Sequence, residues 1–141
     1  MTSFQAINQT NIGLLEIFLT ELGHEDKSFR YFDKRSIDVV LNHLTAILIL
    51  NEHKKPIAYG HLEKEGGVLW LGIAVIKESR GQGVGEKMMI HLIDYAKVSG
   101  ENQITLIVDK DNYKAMRLYE RLGFELEKVD TYFYRYVLQI S

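Results

Sequence analysis

The sequence predicts an α/β (α+β) fold with one mixed central sheet flanked by about four helices, and three observations carry that prediction. Segments with helical period alternate with strand-like apolar runs along the whole chain. In the middle, apolar runs are separated by short turn signals, as antiparallel hairpins require; later, the order is strand, helix, strand. At 141 residues the chain has the size of one domain, read as 1–141, without internal repeat or linker.

The first helix is expected over residues 11–22, where Ile12, Leu15, Leu19 and Leu22 fall at helical spacing and Gly23 supplies a stop. Ile37, Val40, Leu41 and Leu44 repeat the pattern over residues 35–44, which predicts a second helix after the irregular stretch FRYFDKR. AILILN, EHKKP and IAYGHLEK then read as strand, turn and strand, because Pro56 and a charged cluster break two apolar runs. Glu65, Gly66 and Gly67 form the next turn, and VLWLGIAVI, residues 68–76, is the long central strand. A helix follows from about Val84 to Ser99 and ends at Gly100. ITLIVD is a strand, Asp111 or Asn112 caps a helix that ends at Leu122, and Gly123 suits the left-handed position after it. TYFYRYVLQI alternates as a strand on one side of the sheet, and the segment around Phe4 is a candidate for another.

Composition narrows the function. A formal charge of -2 without a basic block argues against nucleic acid as the main partner, and the longest apolar run is about half of a membrane span. There is no cysteine, which removes disulfides and thiolate metal sites. The opening MTSFQAINQT has neither the basic nor the apolar region of a secretory signal, so the expectation is a cytoplasmic protein. His24, His43, His53, His61 and His91 have no HxxxH or HExxH spacing, so no metal site is expected.

The segment SRGQGVGEKMM, residues 79–89, lies where a strand gives way to a helix. Gly81, Gly83 and Gly85 let the backbone turn inward beside Arg80, and the helix N-terminus offers unpaired amides, so the loop reads either as an anion cradle or as a ligand-free turn. A Walker loop is excluded because Glu86 and Lys87 follow Gly85, and a dinucleotide fingerprint fails because Glu86 or Met88 stands where its third glycine belongs.

Arg80, Gly83 and Gly85 fit an Arg/Gln-x-x-Gly-x-Gly/Ala signature, with Val75 five residues before the arginine. Residues 111–124, DNYKAMRLYERLGF, fit Asn-x-x-Ala-x-x-Leu-Tyr-x-x-x-Gly-Phe. Together the two motifs resemble the GNAT superfamily of acyl-coenzyme A dependent N-acetyltransferases, over roughly residues 57–124. That resemblance implies acetyl-coenzyme A as co-substrate. Its pyrophosphate would be held by the amides from Gln82 to Glu86 (Gln82, Gly83, Val84, Gly85, Glu86), with Gly81 shaping the turn and Arg80 in support. It also implies that Ile73 and Val75 offer backbone groups to the pantetheine arm, that Asn112 contacts the coenzyme, and that Tyr119 faces the sulfur as general acid. Packing of Tyr119 against Phe124 is the alternative reading of the same residue.

Transfer to an amine also needs a proton acceptor. A hairpin closed by Glu65, Gly66 and Gly67 pairs Glu63 with Trp70, His61 with Gly72 and Tyr59 with Ala74, on one face; Leu62, Leu71 and Ile73 lie on the other, expected to be the core. Small residues at 72 and 74 leave room there, so His61, Glu63 or a water chain are the candidate bases. The expected acceptor is a small-molecule amine. Lys27, Arg30, Lys34 and Arg35 among Phe29, Tyr31 and Phe32 suggest an anionic one, and FRYFDKR with YGHLEKE is similar to amino-sugar N-acetyltransferases. Tyr132, Tyr134 and Tyr136 share a strand face that could line the acceptor end or a dimer contact, so monomer and homodimer stay open. A non-catalytic acyl-coenzyme A sensing domain is the rival reading of the whole.

Overall fold

The computed structural model describes residues 1–23 and 29–140. Seven strands, β1 (Ser3–Ala6), β2 (Thr45–Leu50), β3 (Pro56–Glu65), β4 (Val68–Val75), β5 (Gln103–Asp109), β6 (Glu125–Val129) and β7 (Phe133–Gln139), form one sheet in the order β1-β2-β3-β4-β5-β7-β6. Three α-helices, α1 (Gly13–Leu22), α2 (Val84–Val98) and α3 (Tyr113–Arg121), lie with 3-10 turns at Ile37–Asn42 and Lys77–Ser79. His24 and Lys27 lie outside the described residues.

The β3–β4 hairpin has the expected register, Glu63 opposite Trp70, His61 opposite Gly72 and Tyr59 opposite Ala74. Gly66 and Gly67 fix it, since both have positive φ (59° and 79°), as a two-residue turn matched to strand twist demands. Alternation along β3 sends Tyr59 to one face and Gly60 to the other. Tyr59 is fully buried and meets Phe18 of α1, ring centroids 6.3 Å apart. On the opposite face α2 comes so close that a Cβ at Gly60 would stand 2.7 Å from Met88 Cγ. Helices therefore cover both faces of β3, and the expectation that only the Leu62 side is core is corrected: Tyr59 and His61 are as buried as Leu62.

Three further details differ from the sequence reading. Residues 35–44 form a short 3-10 turn, Ile37–Asn42, rather than an α-helix; Ile37 and Val40, three apart, turn inward, while Leu41 is 38% exposed. Its β-branched residues and its short length disfavour a regular helix. The C-terminal strand β7 is interior to the sheet, between β5 and β6. The edge strand β6, ELEKV, is exposed throughout and so carries no alternating apolar signal.

Every neighbouring pair is antiparallel except β4 and β5, which run parallel and are registered at the pair Trp70 and Thr105. Beyond that pair the two strands part, and the sheet opens toward the C-terminal end of β4.

Candidate active site

The opening is lined by backbone. Ile76 N–H donates to Ile57 O, and hydrogen-bonded and open pairs alternate along an antiparallel ladder, so the amides and carbonyls of Val75 and Ile73 point away from β3 and into the gap beside β5. The Val75 carbonyl accepts from Arg80 Nε at 2.9 Å, which pins the start of the glycine loop to the end of β4. Gly81 and Gly83 have φ of 77° and 80°, and a Cβ on either would enter open space. Gly83 is the left-handed N-cap of α2, whose first backbone bond is Lys87 N–H to the Gly83 carbonyl. The amides of Val84, Gly85 and Glu86 precede it and have no acceptor within the helix. Gly85 has ordinary helical backbone; it brings the helix over the tips of Ile73, Val75 and Leu118, each of which would stand 3.8 Å from a Cβ at position 85. Glu86 is ion-paired with Arg121 and Gln82 Nε2 donates to the Glu78 carbonyl, so both side chains brace the loop while their amides remain part of it.

On the far side of the opening, the Asn112 side chain caps α3 by accepting from Ala115 N–H at 3.3 Å. Tyr119 lies near the C-terminal end of that helix, 9% exposed, its ring 6.0 Å from Phe124 and 6.5 Å from Tyr136. Its carbonyl accepts from Phe124 N–H, with Gly123 at φ 99°. The ring therefore packs as the helix-end motif requires. Burial pushes its hydroxyl up to about 12, so it stays protonated through the neutral range.

A second group sits on the α1 face of β3. The Tyr31 hydroxyl donates to Glu63 Oε1 at 2.9 Å and lies 2.9 Å from Nε2 of His43. His61, 2% exposed, is held by the Tyr59 hydroxyl at Nδ1, 2.7 Å away, and its ring centroid is 4.8 Å from that of His43. The room expected above Gly72 is taken by this imidazole, whose Nε2 would be 2.6 Å from a Cβ there. Burial, then the charges of His43 and Arg35, lowers His61 to about 3, so it is neutral. His43 is lowered too, by burial first, with Glu63 opposing and Arg35 adding. Burial and the neighbouring Glu63 carboxylate raise Tyr31 well above the usual phenol range.

His43, His61 and Glu63 bring three ligating atoms within 4.8 Å of one another, a juxtaposition that their spacing in sequence hides. The Tyr31 hydroxyl already joins two of them, so the cluster is satisfied by hydrogen bonds as it stands. Tyr31 and His43 are not among the catalytic residues expected from the sequence. The aromatic stretch around Tyr31 anchors on Tyr59, with Phe29 and Phe32 rings 5.8 and 5.6 Å from it, and Arg35 lies 4.2 Å from the Tyr31 ring centre. Beside Glu63, Trp70 opens a depression lined by Ile107, Lys128, Asp130, Phe133 and Arg135, with Arg135 stacked 5.3 Å from the indole. Tyr136 instead faces α3 and donates to Glu120, and Tyr132 is exposed.

The profile of the Acetyltransferase (GNAT) family matches residues 12–124, which include the opening, the glycine loop and the α3 motif. The chain belongs to the GNAT acetyltransferase family. Among curated relatives, N-alpha-acetyltransferase 30 of Schizosaccharomyces pombe is 44% identical over 52 residues, 37% of this chain and 35% of that protein. Mycothiol acetyltransferase of Renibacterium salmoninarum is 39% identical over 66 residues, 47% of this chain and 19% of that protein. The chain thus spans about a third or less of these relatives. A GNAT acetyltransferase structure from Streptococcus pneumoniae superimposes with a TM-score of 0.84 at 16% identity, covering 99% of this chain and 100% of that one. A putative acetyltransferase from Salmonella typhimurium, solved with its cofactor acetyl-CoA, gives 0.79 at 16% identity, covering 100% and 95%. These two share the GNAT fold with this chain. Among the described residues no helix is long and apolar enough to cross a membrane.

Proposed function

We propose that this protein transfers an acetyl group from acetyl-coenzyme A to a primary amine, directly and within a ternary complex. The observation that carries the reading is the parting of β4 from β5 beside the glycine loop, with proton-carrying side chains gathered on the adjoining face of β3. In this reading the amides of Gln82, Gly83, Val84, Gly85 and Glu86, with Gly81 shaping the loop and Arg80 in support, hold the pyrophosphate. The edge groups of Ile73 and Val75 hold the pantetheine arm, and Asn112 borders it across the gap.

The amine lone pair attacks the thioester carbonyl; the C–N bond forms, the C–S bond breaks, the sulfur leaves as thiolate, and the nitrogen gives its second proton to water to become a neutral amide. The Val75 N–H stabilises the oxyanion. Tyr119 donates a hydrogen bond to the departing sulfur. A phenol raised to about 12 keeps its proton against a thiolate whose conjugate acid lies near about 8.5, so Tyr119 stabilises the thiolate and solvent supplies its final proton. Glu63 takes the proton of the acceptor ammonium, directly or through water. His61, held neutral by burial, serves as a fixed hydrogen-bonding group rather than as the terminal base. The depression beside Trp70 sets Arg135 and Lys128 beside Asp130, with Glu127 paired to Arg135, and so offers cationic groups to an acceptor that carries an anion next to its amine, such as an amino-sugar nucleotide.

The test is release of free thiol from acetyl-coenzyme A against a panel of amines that includes amino sugars and their nucleotides. Release dependent on one amine class establishes the transferase and names the acceptor. Tight binding of acetyl-coenzyme A without release across the panel replaces this reading with a sensing domain.

A further inference from the structure

We infer that Tyr31 and His43 extend Glu63 into a relay that carries the acceptor's proton out of the site to solvent. The inference rests on the transferase reading and deepens it. Its basis is a chain of three side chains from separate parts of the sequence: Glu63 from the middle of the sheet, Tyr31 from the segment after α1, and His43 just past the 3-10 turn. Each link is 2.9 Å, and one hydroxyl makes both. Glu63 and His43 are both half-buried, so one end of the chain borders the face that carries Trp70 and the other reaches the surface beside Arg35.

The step balances without a co-reactant. The ammonium N–H bond breaks, its electron pair stays on nitrogen, and the proton joins the Glu63 carboxylate. The Glu63 O–H then donates to Tyr31 Oη as the Tyr31 proton passes to Nε2 of His43. Tyr31 ends neutral, as it began. His43 becomes imidazolium and releases its Nδ1 proton to solvent, which leaves Nε2–H donating to Tyr31 Oη and Tyr31 donating to the Glu63 carboxylate, the hydrogen-bond arrangement of the resting site. Half-buried His43 exchanges its neutral tautomer through solvent, and the relay runs from the form that carries its proton on Nδ1 and accepts at Nε2.

The neighbours suit this direction. Burial, then the hydrogen bond and charge of Glu63, keep Tyr31 from ionising, so no phenolate traps the proton. Partial burial lowers His43, with Glu63 opposing and Arg35 adding, so its imidazole does not hold a proton against solvent. Tyr59 is engaged with His61 and takes no part. The alternative use of the cluster, a metal held by His43, His61 and Glu63, would require the Tyr31 hydroxyl to leave the place between two of the ligands.

The experiment compares wild type, His43→Ala, His43→Gln and Tyr31→Phe in amine-dependent thiol release across pH, with the acetyl-coenzyme A dissociation constant measured beside each. His43→Ala is expected to lose about 10-fold to 100-fold in rate with donor binding unchanged. Added imidazole should restore it, and methylated imidazoles of higher pKa should restore it more. Tyr31→Phe should lose a similar factor without rescue by imidazole, because the gap to Glu63 remains. A His43→Ala protein with wild-type rate and pH profile overturns the relay and leaves the transferase reading intact. So does full recovery in His43→Gln, which keeps a hydrogen bond but passes no proton. Nitrogen-15 NMR of the unliganded protein gives a check independent of turnover: a neutral His43 locked in one tautomer, with no exchange of its ring protons through solvent, overturns the relay. Absence of turnover in wild type with every acceptor sinks both readings together.

Discussion

The imidazole of His61 lies directly over Gly72, so closely that a Cβ at position 72 would stand 2.6 Å from Nε2 and 2.9 Å from Cε1. The ring has little freedom to yield, because it is buried and tied at Nδ1 to Tyr59. Gly72→Ala should therefore cost about 1–3 kcal/mol in urea denaturation, the usual range for overpacking a core. The same substitution made in His61→Ala should cost much less, since the clash is then gone. Equal costs in the two backgrounds would mean that the tight contact is not with His61.

The Tyr119 hydroxyl can be removed while its ring keeps both neighbours, Phe124 and Tyr136. Tyr119→Phe should keep the melting temperature and the acetyl-coenzyme A affinity, and lower kcat by about 100-fold. Thiol release at saturating donor measures it. An unchanged kcat would leave Tyr119 with packing alone.

Gly83 is the left-handed cap of α2, with nothing within 4 Å of a Cβ position. Gly83→Ala therefore meets no clash, only the backbone cost of about 1–2 kcal/mol for a left-handed residue. Relaxation of that strain would move the loop amides, so the KM for acetyl-coenzyme A should rise about 10-fold with kcat little changed. Gly13→Ala, at the start of α1 in open space, is the control that should change neither. Calorimetric titration of the donor distinguishes the outcomes.

Burial lowers His61 from the usual imidazole value to about 3. The unfolded chain then binds this proton more readily than the folded one, so the associated stability is complete above about 6.5, falls as pH drops, and is spent near 3. His43 is lowered as well and steepens the upper part of that window. Urea denaturation should show stability falling by about 1 kcal/mol or more per pH unit below about 6.5, with a shallower fall in His61→Gln. Parallel profiles would show that His61 titrates alike in both states.

The sequence made some of this legible for local reasons. A two-glycine turn fixes the β3–β4 register, so the pairing of Glu63, His61 and Tyr59 with Trp70, Gly72 and Ala74 followed from counting. The glycine loop and the α3 motif are likewise short contiguous stretches. Tyr31 and His43 were not legible as site residues, because they reach Glu63 from irregular segments 32 and 20 positions away, where no periodicity states what faces what. Histidines at metal spacing are sought along the chain, whereas His43 and His61 meet across it. Strand β6 was missed because an exposed edge strand shows no apolar alternation, and the 3-10 turn because apolar residues three apart fit either helix.

The single registered pair between β4 and β5 makes the sheet two panels joined at one stitch, Trp70 with Thr105. Along the rest of that seam, cohesion comes from side chains and from whatever molecule fills it, not from a backbone ladder. In the proposed reading the donor is then a structural member as well as a reagent: its arm supplies the missing rungs beside Ile73 and Val75. The enzyme would be stiffest when loaded, and each departure of spent coenzyme would unlace the middle of its own core.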